Sequence, residues 1–308
     1  MTPEEKMASR VLAIRKLTPP FDLDQLAAEY GELEYIPMPF VVDGITIGIG
    51  SANKPGILIN TSAPATRQKF TLAHEIGHIV IPWHTGTIIS HLNPGKVDAA
   101  YIQMETEANR FAAELLMPSR WLVDEFQHAA SVEQYFRSVL NQAGASREAT
   151  LNKILRPLPQ PVVCIQVDSF SRVLNPRRSQ TAPYPPERDT VVSSETFQTD
   201  CRFERFEIDG QLYMSWVFIG RDIQEVDKRP WREIYAQILS DTGTQEYLQN
   251  MNGILAAAYG KNKALDEPEI CGAIIRAFTK YEIFNSVRKH ELFEQFVIKR
   301  VKELNRRA

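Results

Sequence analysis

The stretch TLAHEIGH, residues 71 to 78, contains the residue types of a zinc peptidase. His74 and His78 are four residues apart, so in a helix they lie on one face and their imidazoles can converge on one ion. Glu75 projects roughly 100° around that helix, which places it beside the ion as a proton acceptor. Zinc lowers the pKa of its bound water toward about 7, and Glu75 would pass a proton from that water to the leaving amine. A catalytic zinc needs a third protein ligand, which must lie elsewhere in the chain.

His84, six residues after His78, is one candidate for that ligand. The spacing is that of the metzincin pattern HExxHxxGxxH, in which a glycine lets the chain turn sharply back to the metal. Ile81 stands at the glycine position here, and its side chain resists that conformation. The sequence therefore disfavours His84 as a ligand and indicates that it is simply a polar residue just past the end of a helix.

An acidic residue on the next helix, as in the gluzincins, is the other candidate. Glu105 and Glu107 are two residues apart, so they face different directions and only one of them can bind the ion. The apolar stripe from Ala108 to Leu115 is expected to pack inward, with Glu105 at its end and Glu107 on its flank beside Arg110. This spacing favours Glu105 without excluding Glu107.

Three predicted elements would position these side chains. Short β-branched runs separated by Gly, Asp-Gly and Lys-Pro-Gly turns predict a small antiparallel sheet over residues 35–60. Apolar spacing predicts one helix over residues 66–80 and a second over residues 101–116, which Met117-Pro118 ends. The motif therefore lies on a helix that follows a sheet and precedes the helix of the two glutamates.

The rest of the chain divides at LRPLPQP, residues 155–161. Before it, residues 131–155 predict two helices joined at Ala143-Gly144-Ala145. After it, strand-like segments flank a proline-rich loop at residues 174–190, a hairpin turns at Asp209-Gly210, and the remainder is mostly helical. We therefore predict an α+β protein in three parts: a domain over 1–120 that carries the motif, a helical segment over 121–157, and a separate α+β C-terminal domain over 158–308.

The composition of the 308 residues is that of an ordinary globular protein, with 44% hydrophobic and 24% charged residues. The net charge of −3 provides no general attraction to nucleic acid. Cys164, Cys201 and Cys271 are isolated, which predicts neither a disulfide framework nor a zinc ribbon and indicates a reducing compartment. The charged N-terminus and the lack of a long apolar run predict a soluble cytoplasmic protein with no membrane partner.

The segments RQKFTLAHEIGHIVI and ETEANRFAAELLMP together resemble the ImmA/IrrE family of metallopeptidases. The family pattern is a Phe-Thr-x-Ala-His-Glu-x-x-His helix, then Glu-x-Glu-Ala-Asn-x-Phe-Ala, ending in Leu-Leu-Met-Pro. Both halves are nearly intact here. The two-motif agreement runs over roughly residues 20 to 120, and no resemblance extends past about residue 155. It implies a gluzincin-like enzyme with a minimal zincin fold, that is, a zincin-like metallopeptidase domain over 1–120 followed by a helix-turn-helix-like segment over 121–157.

This resemblance implies a role for each motif residue. His74, His78 and Glu105 would be the ligands of one Zn²⁺ ion per chain, and Glu75 would be the catalytic glutamate. The implied choice of Glu105 agrees with its place at the end of the apolar stripe.

Other residues near the motifs are candidates for supporting roles. Glu107 and Asn109 become candidates for contacting the ligands or the fold around them. Tyr101, His84 and His91 are weak candidates for the donor that stabilises the oxyanion.

Members of the family typically act as intracellular endopeptidases on one dedicated helix-turn-helix repressor of phage, mobile-element or DNA-damage genes, and cleavage derepresses those genes. The resemblance therefore implies a zinc-dependent, site-specific endopeptidase with a protein substrate of that class. The charges of residues 131–155 are too balanced to grip phosphates, so nucleic acid as a partner is unsupported by charge. Residues 158–308 resemble no family known to us, and we expect a regulatory or target-recognition module there.

An alternative of another class is a non-catalytic, metal-stabilised binding module or regulator that holds an antitoxin or a DNA-associated partner. Such a scaffold has no need of the Glu75 carboxylate, so the intact motif favours the enzyme. The two hypotheses differ in whether Glu75 is needed for the biological activity.

Overall fold

The computed structural model, which describes residues 1–38, 42–90, 99–197 and 200–307, divides into two units at the proline-containing segment. The units are Met1–Pro157 and Leu158–Ala308. Each contains a four-stranded sheet together with helices, so the predicted α+β class is confirmed. None of the helices in the described ranges is long and apolar enough to cross a membrane.

The first unit begins with two helices and ends with four, and its sheet lies between them in the sequence. Its described elements are α1 (Pro3–Arg15), α2 (Leu23–Tyr30), β1 (Glu32–Ile36), β2 (Gly44–Ile49), β3 (Gly56–Asn60), α3 (Ala65–Val80), β4 (Gly86–Ser90), α4 (Ala99–Leu116), α5 (Ser119–His128), α6 (Val132–Ala143) and α7 (Arg147–Ile154). The helices predicted over residues 66–80 and 101–116 are confirmed to within two residues at each end.

The sheet of the first unit has the strand order β1-β3-β2-β4. β2 runs antiparallel to both β3 and β4, but β1 runs parallel to β3, with Glu32 opposite Gly56. The expectation of a purely antiparallel sheet was therefore wrong at this edge. The chain reverses direction twice between β1 and β3, so two strands that become neighbours run the same way.

Helix α3 is buried on every side over its second half. All eight residues from Thr71 to His78 are buried, because the helix packs against β2 and β3 of the sheet and also against α2 and α4. Three of those eight residues are His74, Glu75 and His78. Buried ionisable side chains require partners, so this helix must be surrounded by polar groups that satisfy them.

Helices α3 and α4 approach each other closely at Gly77. A Cβ atom at this position would lie 3.0 Å from Cδ1 of Phe111, so any larger residue would push the helices apart. Ala108 and Ala112 are fully buried on the same stripe of α4. Small residues at this contact let the backbone of α4 come near enough for a glutamate to reach the histidines of α3.

A buried ion pair links α7 to α4 in this unit. Lys153 Nζ lies 2.6 Å from Glu114 Oε2, and the two residues are 6% and 1% exposed. Glu114 also accepts hydrogen bonds from the backbone N–H and hydroxyl of Ser119 and from the hydroxyl of Ser9. The carboxylate therefore joins α1, α4, α5 and α7.

We expect Lys153→Met to lower the free energy of unfolding by about 3 kcal/mol, because it leaves the Glu114 carboxylate buried without its counter-charge. Arg137→Met is the matched control, since Arg137 pairs with Glu133 on the surface of α6 and such pairs contribute under about 1 kcal/mol. Urea denaturation of the three proteins measures both effects. Equal, small losses for the two variants would show that the buried pair does not secure α7.

The second unit begins with strands and ends with helices, as predicted. Its described elements are β5 (Val162–Val167), β6 (Val173–Arg178), β7 (Cys201–Ile208), β8 (Gln211–Phe218), α8 (Trp231–Thr242), α9 (Leu248–Asn262), α10 (Glu267–Phe278), α11 (Asn285–Lys289) and α12 (Phe293–Arg307). The sheet order is β6-β5-β8-β7, and all three pairings are antiparallel.

The predicted hairpin at Asp209-Gly210 is confirmed. Both residues have positive φ, 46° and 76°, as expected for a two-residue loop joining β7 to β8. The predicted loop over 174–190 was wrong at its start, because β6 extends to Arg178 and pairs with β5. Pro176 is accommodated there because β6 is an edge strand of the sheet.

Candidate metal centre and active site

Three side chains from α3 and α4 converge at the closest contact of the two helices. The Nε2 atoms of His74 and His78 are 2.9 Å apart, and each lies 3.4 Å from a carboxylate oxygen of Glu105. All three residues are buried, and their candidate ligand atoms lie within 4.8 Å of one another. The i, i+4 spacing on α3 aligns the two imidazoles, and the small-residue stripe of α4 brings the carboxylate against them.

The other ring nitrogen of His74 contacts Asn109, one turn after Glu105 on α4. His74 Nδ1 lies 3.0 Å from the side-chain oxygen of Asn109. An amide oxygen only accepts hydrogen bonds, so Nδ1 carries the proton and donates it. The lone pair of Nε2 is therefore directed toward Glu105 and is available to a cation.

A longer chain of hydrogen bonds determines the tautomer of His78. His78 Nδ1 lies 2.9 Å from His84 Nδ1, and His84 Nε2 lies 3.1 Å from a carboxylate oxygen of Glu107. Because the carboxylate is an acceptor, His84 carries its proton on Nε2 and accepts at Nδ1 from His78. The Nε2 lone pair of His78 then faces Glu105, like that of His74.

Glu107 is held in place by two further donors. The indole N–H of Trp83 donates to it at 2.6 Å, and the side-chain amide of Gln103 donates at 2.9 Å. Glu107, expected on the flank of the apolar stripe beside Arg110, is buried. Arg110 instead pairs with Glu4 of α1.

The structure keeps His84 away from the converging ligand atoms. Ile81 has φ −77° and ψ 112°, an ordinary extended conformation, and the N–H of His84 donates to the carbonyl of Ile81. This turn places His84 behind His78 and against Glu107. Both of its ring nitrogens are engaged there, which also argues against an oxyanion role for His84.

Glu75 lies on the side of α3 that faces β2. The hydroxyl of Thr46 donates a short hydrogen bond to Oε2 of Glu75, and both residues are fully buried. Gly44, also on β2, makes room for the carboxylate, because a Cβ atom at this position would lie 2.6 Å from Oε1 of Glu75. The sheet therefore fixes the orientation of Glu75 through one hydroxyl and one missing side chain.

Burial and nearby charge act in opposite directions on the two imidazoles of the cluster. Burial lowers the pKa of His78 to about 4, despite the opposing effect of Glu105, so this imidazole is neutral near pH 7. Burial alone would raise the pKa of Glu105, but the adjacent His74 and His78 outweigh it and lower that pKa to about 2. Burial alone would lower the pKa of His74, and the carboxylates of Glu105 and Glu75 raise it above its ordinary value.

These residues fit a tetrahedral metal ion. Two imidazole lone pairs and a carboxylate face one another, an arrangement that is repulsive without a cation among them. Bond lengths of about 2.0–2.1 Å in a tetrahedral zinc site require ligand atoms about 3.3 Å apart, close to the observed 2.9–3.4 Å. Two histidines and one glutamate are the donor set of catalytic zinc sites that keep a fourth position open.

Tyr101 and His91 are the other two candidates for the oxyanion donor. Tyr101 lies one helical turn before Glu105, on the same face of α4. His91 lies outside the described residues. Sequence reasoning missed Thr46, because the alternation of Ile45, Thr46 and Ile47 in a short strand would place the isoleucines toward the core and the threonine toward solvent. In the structure Thr46 is fully buried and Ile47 is 44% exposed.

Comparison with known proteins identifies the same region. The sequence model Peptidase_M78, described as the IrrE N-terminal-like domain, matches residues 38–155. Two proteins named "Radiation response metalloprotease IrrE" are similar to this chain. The one from Deinococcus radiodurans is 28% identical over 107 residues, 35% of this chain and 33% of that protein. The one from Deinococcus deserti is 26% identical over 152 residues, 45% of this chain and 54% of that protein.

The alignments span about a third and about half of the length of these relatives, so the similarity concerns one region. A solved structure titled "Mycobacterium tuberculosis transcriptional regulator" aligns with a TM-score of 0.39 and 11% identity, over 70% of this chain and 76% of that one, a likeness too low to support an argument. The family match covers both motifs and every residue of the cluster described above. Residues 38–155 of this chain therefore match an IrrE N-terminal-like domain, which supports the assignment to the ImmA/IrrE family of metallopeptidases.

Proposed function

We propose that this chain is a cytoplasmic, zinc-dependent, site-specific endopeptidase that cleaves a helix-turn-helix transcriptional repressor. The family assignment supports a metal-dependent protease. The observation that carries the proposal further is the convergence of His74, His78 and Glu105 beside a glutamate that the sheet holds in one orientation. A buried donor set and an adjacent proton acceptor are the two parts that peptide hydrolysis requires.

The residues of the site divide the chemistry among them. His74, His78 and Glu105 would hold Zn²⁺, which when bound lowers the pKa of water and polarises a carbonyl. Glu75 takes a proton from the attacking water and returns it to the amine that leaves. Thr46 keeps the Glu75 carboxylate in place, and Asn109, His84 and Glu107 keep the imidazole lone pairs directed inward.

The sheet provides a means of binding an extended substrate. β4 is at the edge of the sheet next to β2, the strand that carries Thr46. An extended peptide can add to such an edge through main-chain hydrogen bonds, which select a strand conformation more than a sequence. A repressor segment bound in this way would pass close to the Glu75 carboxylate.

A repressor target is supported by the family resemblance and is consistent with the balanced charge of the chain. A dedicated protein substrate requires no surface for nucleic acid on the enzyme, and the net charge of −3 provides no general attraction to nucleic acid. The alternative, a metal-stabilised binding module, gives no reason for Thr46 and Gly44 to shape a pocket around Glu75.

The proposal is tested by mapping new protein N-termini in cells that express the chain or its Glu75→Gln variant. We expect one dominant cleavage within a helix-turn-helix repressor, present only with the unaltered chain. The same cut should appear when the purified repressor and the purified chain are mixed, should stop with a chelator, and should return with Zn²⁺. Many unrelated cut sites, or identical N-termini in both cultures, would contradict a dedicated repressor protease.

We further expect His84→Ala to weaken Zn²⁺ binding about tenfold to a hundredfold, because His78 loses the acceptor that directs its Nε2 inward. The dissociation constant for Zn²⁺ is measured by competition with a chelating dye. His128→Ala is the control, since His128 lies on the exposed end of α5 and its ring hydrogen-bonds to the carbonyl of Asp124 in the same helix. Unchanged affinity in His84→Ala would show that the chain from His78 to Glu107 does not support the metal.

A further inference from the structure

A cavity of about 160 Å³ lies in the second unit. It is bounded by the segment that follows β6 and by helices α9 and α10. Among the residues that the structure describes, four cations and no aspartate or glutamate line it: Arg178, Lys261, Arg276 and Lys280. A cavity with this charge pattern has a positive potential and attracts an anion.

Arg276 is the buried cation of this group. It is 6% exposed, and one nitrogen, Nη1, donates to the carbonyl of Ile219 at 3.2 Å. Its Nε and Nη2 atoms are buried and have no hydrogen-bond partner among the described residues. These two N–H groups form the side-on fork with which arginine binds carboxylate and phosphate groups.

The guanidinium is held in one place. Gly272, four residues earlier on α10, leaves room for the guanidinium to fold back along this helix, since a Cβ atom at Gly272 would lie 2.9 Å from Nη1 of Arg276. The ring of Phe218 lies 5.7 Å from the central carbon of the guanidinium. Glu269 is the carboxylate that acts on its charge, but no ion pair joins the two in the described part of the chain. Burial lowers the pKa of Arg276 to about 10, so it remains charged at neutral pH.

Two of the other cations are held against one aromatic ring. Arg178 and Lys280 both lie over the ring of Tyr184, at 3.9 Å and 4.7 Å from its centre. The side-chain oxygen of Asn262, which also lines the cavity, is buried and accepts no hydrogen bond from a described residue. An anion that carries a hydroxyl group could therefore be bound at both ends, by the cations and by Asn262.

We propose that this cavity binds the phosphate group of a small molecule. The fork of Arg276 binds two phosphate oxygens, and the three outer cations neutralise the second negative charge of the phosphate. A carboxylate has only one negative charge and would not require them. Free phosphate and a phosphate ester share this chemistry. The buried amide oxygen of Asn262 can accept a hydrogen bond from a hydroxyl group, which favours an ester that also carries hydroxyl groups. The site is independent of the proposed peptidase activity.

Calorimetric titration of the full chain with inorganic phosphate and with AMP tests the proposal. We expect saturable binding of both, tighter for AMP, and about tenfold weaker in Lys261→Glu, which reverses a charge in the cavity wall. Lys263→Glu is the matched control, because Lys263 is exposed at the end of the same helix and does not line the cavity. This control should bind both anions within about twofold of the unaltered chain.

Arg276→Lys separates the fork from the charge and should also weaken AMP binding about tenfold, provided its circular dichroism matches that of the unaltered chain. If Arg276→Lys does not fold, Lys280→Glu tests the cavity by reversing the charge of a second lining cation and should weaken AMP binding about tenfold. Three results would overturn the proposal: no saturable binding of phosphate or AMP, equal affinities in Lys261→Glu and Lys263→Glu, or binding of a single-stranded oligonucleotide with none of AMP. Peptidase assays are not needed, so failure here leaves the proposed function intact.

Discussion

Glu75→Gln is expected to reduce cleavage of the repressor about a thousandfold or more while leaving Zn²⁺ binding unchanged. Glutamine has nearly the same shape, so it can still accept the hydrogen bond from Thr46 and fill the space beside Gly44. It cannot take a proton from water. The measurement is a single-turnover cleavage rate beside the metal content of the purified protein.

Thr46 provides a graded control for that result. Thr46→Val removes the hydroxyl that holds Glu75 and should lower the rate about tenfold, the effect of losing one hydrogen bond to a charged group. Thr46→Ser keeps the hydroxyl and should restore most of the rate. If Glu75→Gln cleaves as fast as the unaltered chain, Glu75 is not the proton acceptor and the binding-module alternative gains support.

The helices of the site could be predicted from the sequence because their signals are local. The i, i+4 spacing of His74 and His78 depends only on helix geometry, and the apolar stripe of α4 indicates which face turns inward. Residues 66–80 and 101–116 were therefore predicted as helices to within two residues at each end. The choice between Glu105 and Glu107 was harder, since it depends on how far α4 slides along α3.

The support of the site could not be predicted, because it depends on contacts between distant segments. The contact of His84 with Glu107 requires the turn from Ile81 to His84 to bring the chain back against α4. Thr46 reaches Glu75 only because β2 lies at the centre of the sheet under α3. No periodicity in the sequence encodes these distances.

The same limit applies to sheet order and to the second unit. The parallel pairing of β1 with β3 follows from where the strands meet, and hydrophobic alternation is the same for either direction. The cavity around Arg276 brings together residues from β6, α9 and α10, which are nearly a hundred positions apart. In the sequence alone, these cations are indistinguishable from ordinary surface charges.

The two glutamates of α4 are expected to differ greatly in their contribution to Zn²⁺ binding. We expect Glu105→Gln to weaken Zn²⁺ binding at least about a hundredfold and to abolish cleavage, because the carboxylate that faces both imidazoles becomes a neutral amide. Structural zinc sites with four ligands bind with about 10–16 kcal/mol, so one ligand contributes roughly 3 kcal/mol, or about a hundredfold. Competition with a chelating dye and a cleavage assay measure the two losses.

Glu107→Gln is the matched control, since Glu107 lies two residues after Glu105 on the same helix and receives the same substitution. Glu107 contacts Trp83, His84 and Gln103 but neither His74 nor His78, so its loss should weaken Zn²⁺ binding only about tenfold. The two variants should also differ in stability, because Zn²⁺ should raise the melting temperature of Glu107→Gln and have little effect on that of Glu105→Gln. A larger loss of Zn²⁺ affinity in Glu107→Gln than in Glu105→Gln would reverse the assignment and place the ion on the other face of α4.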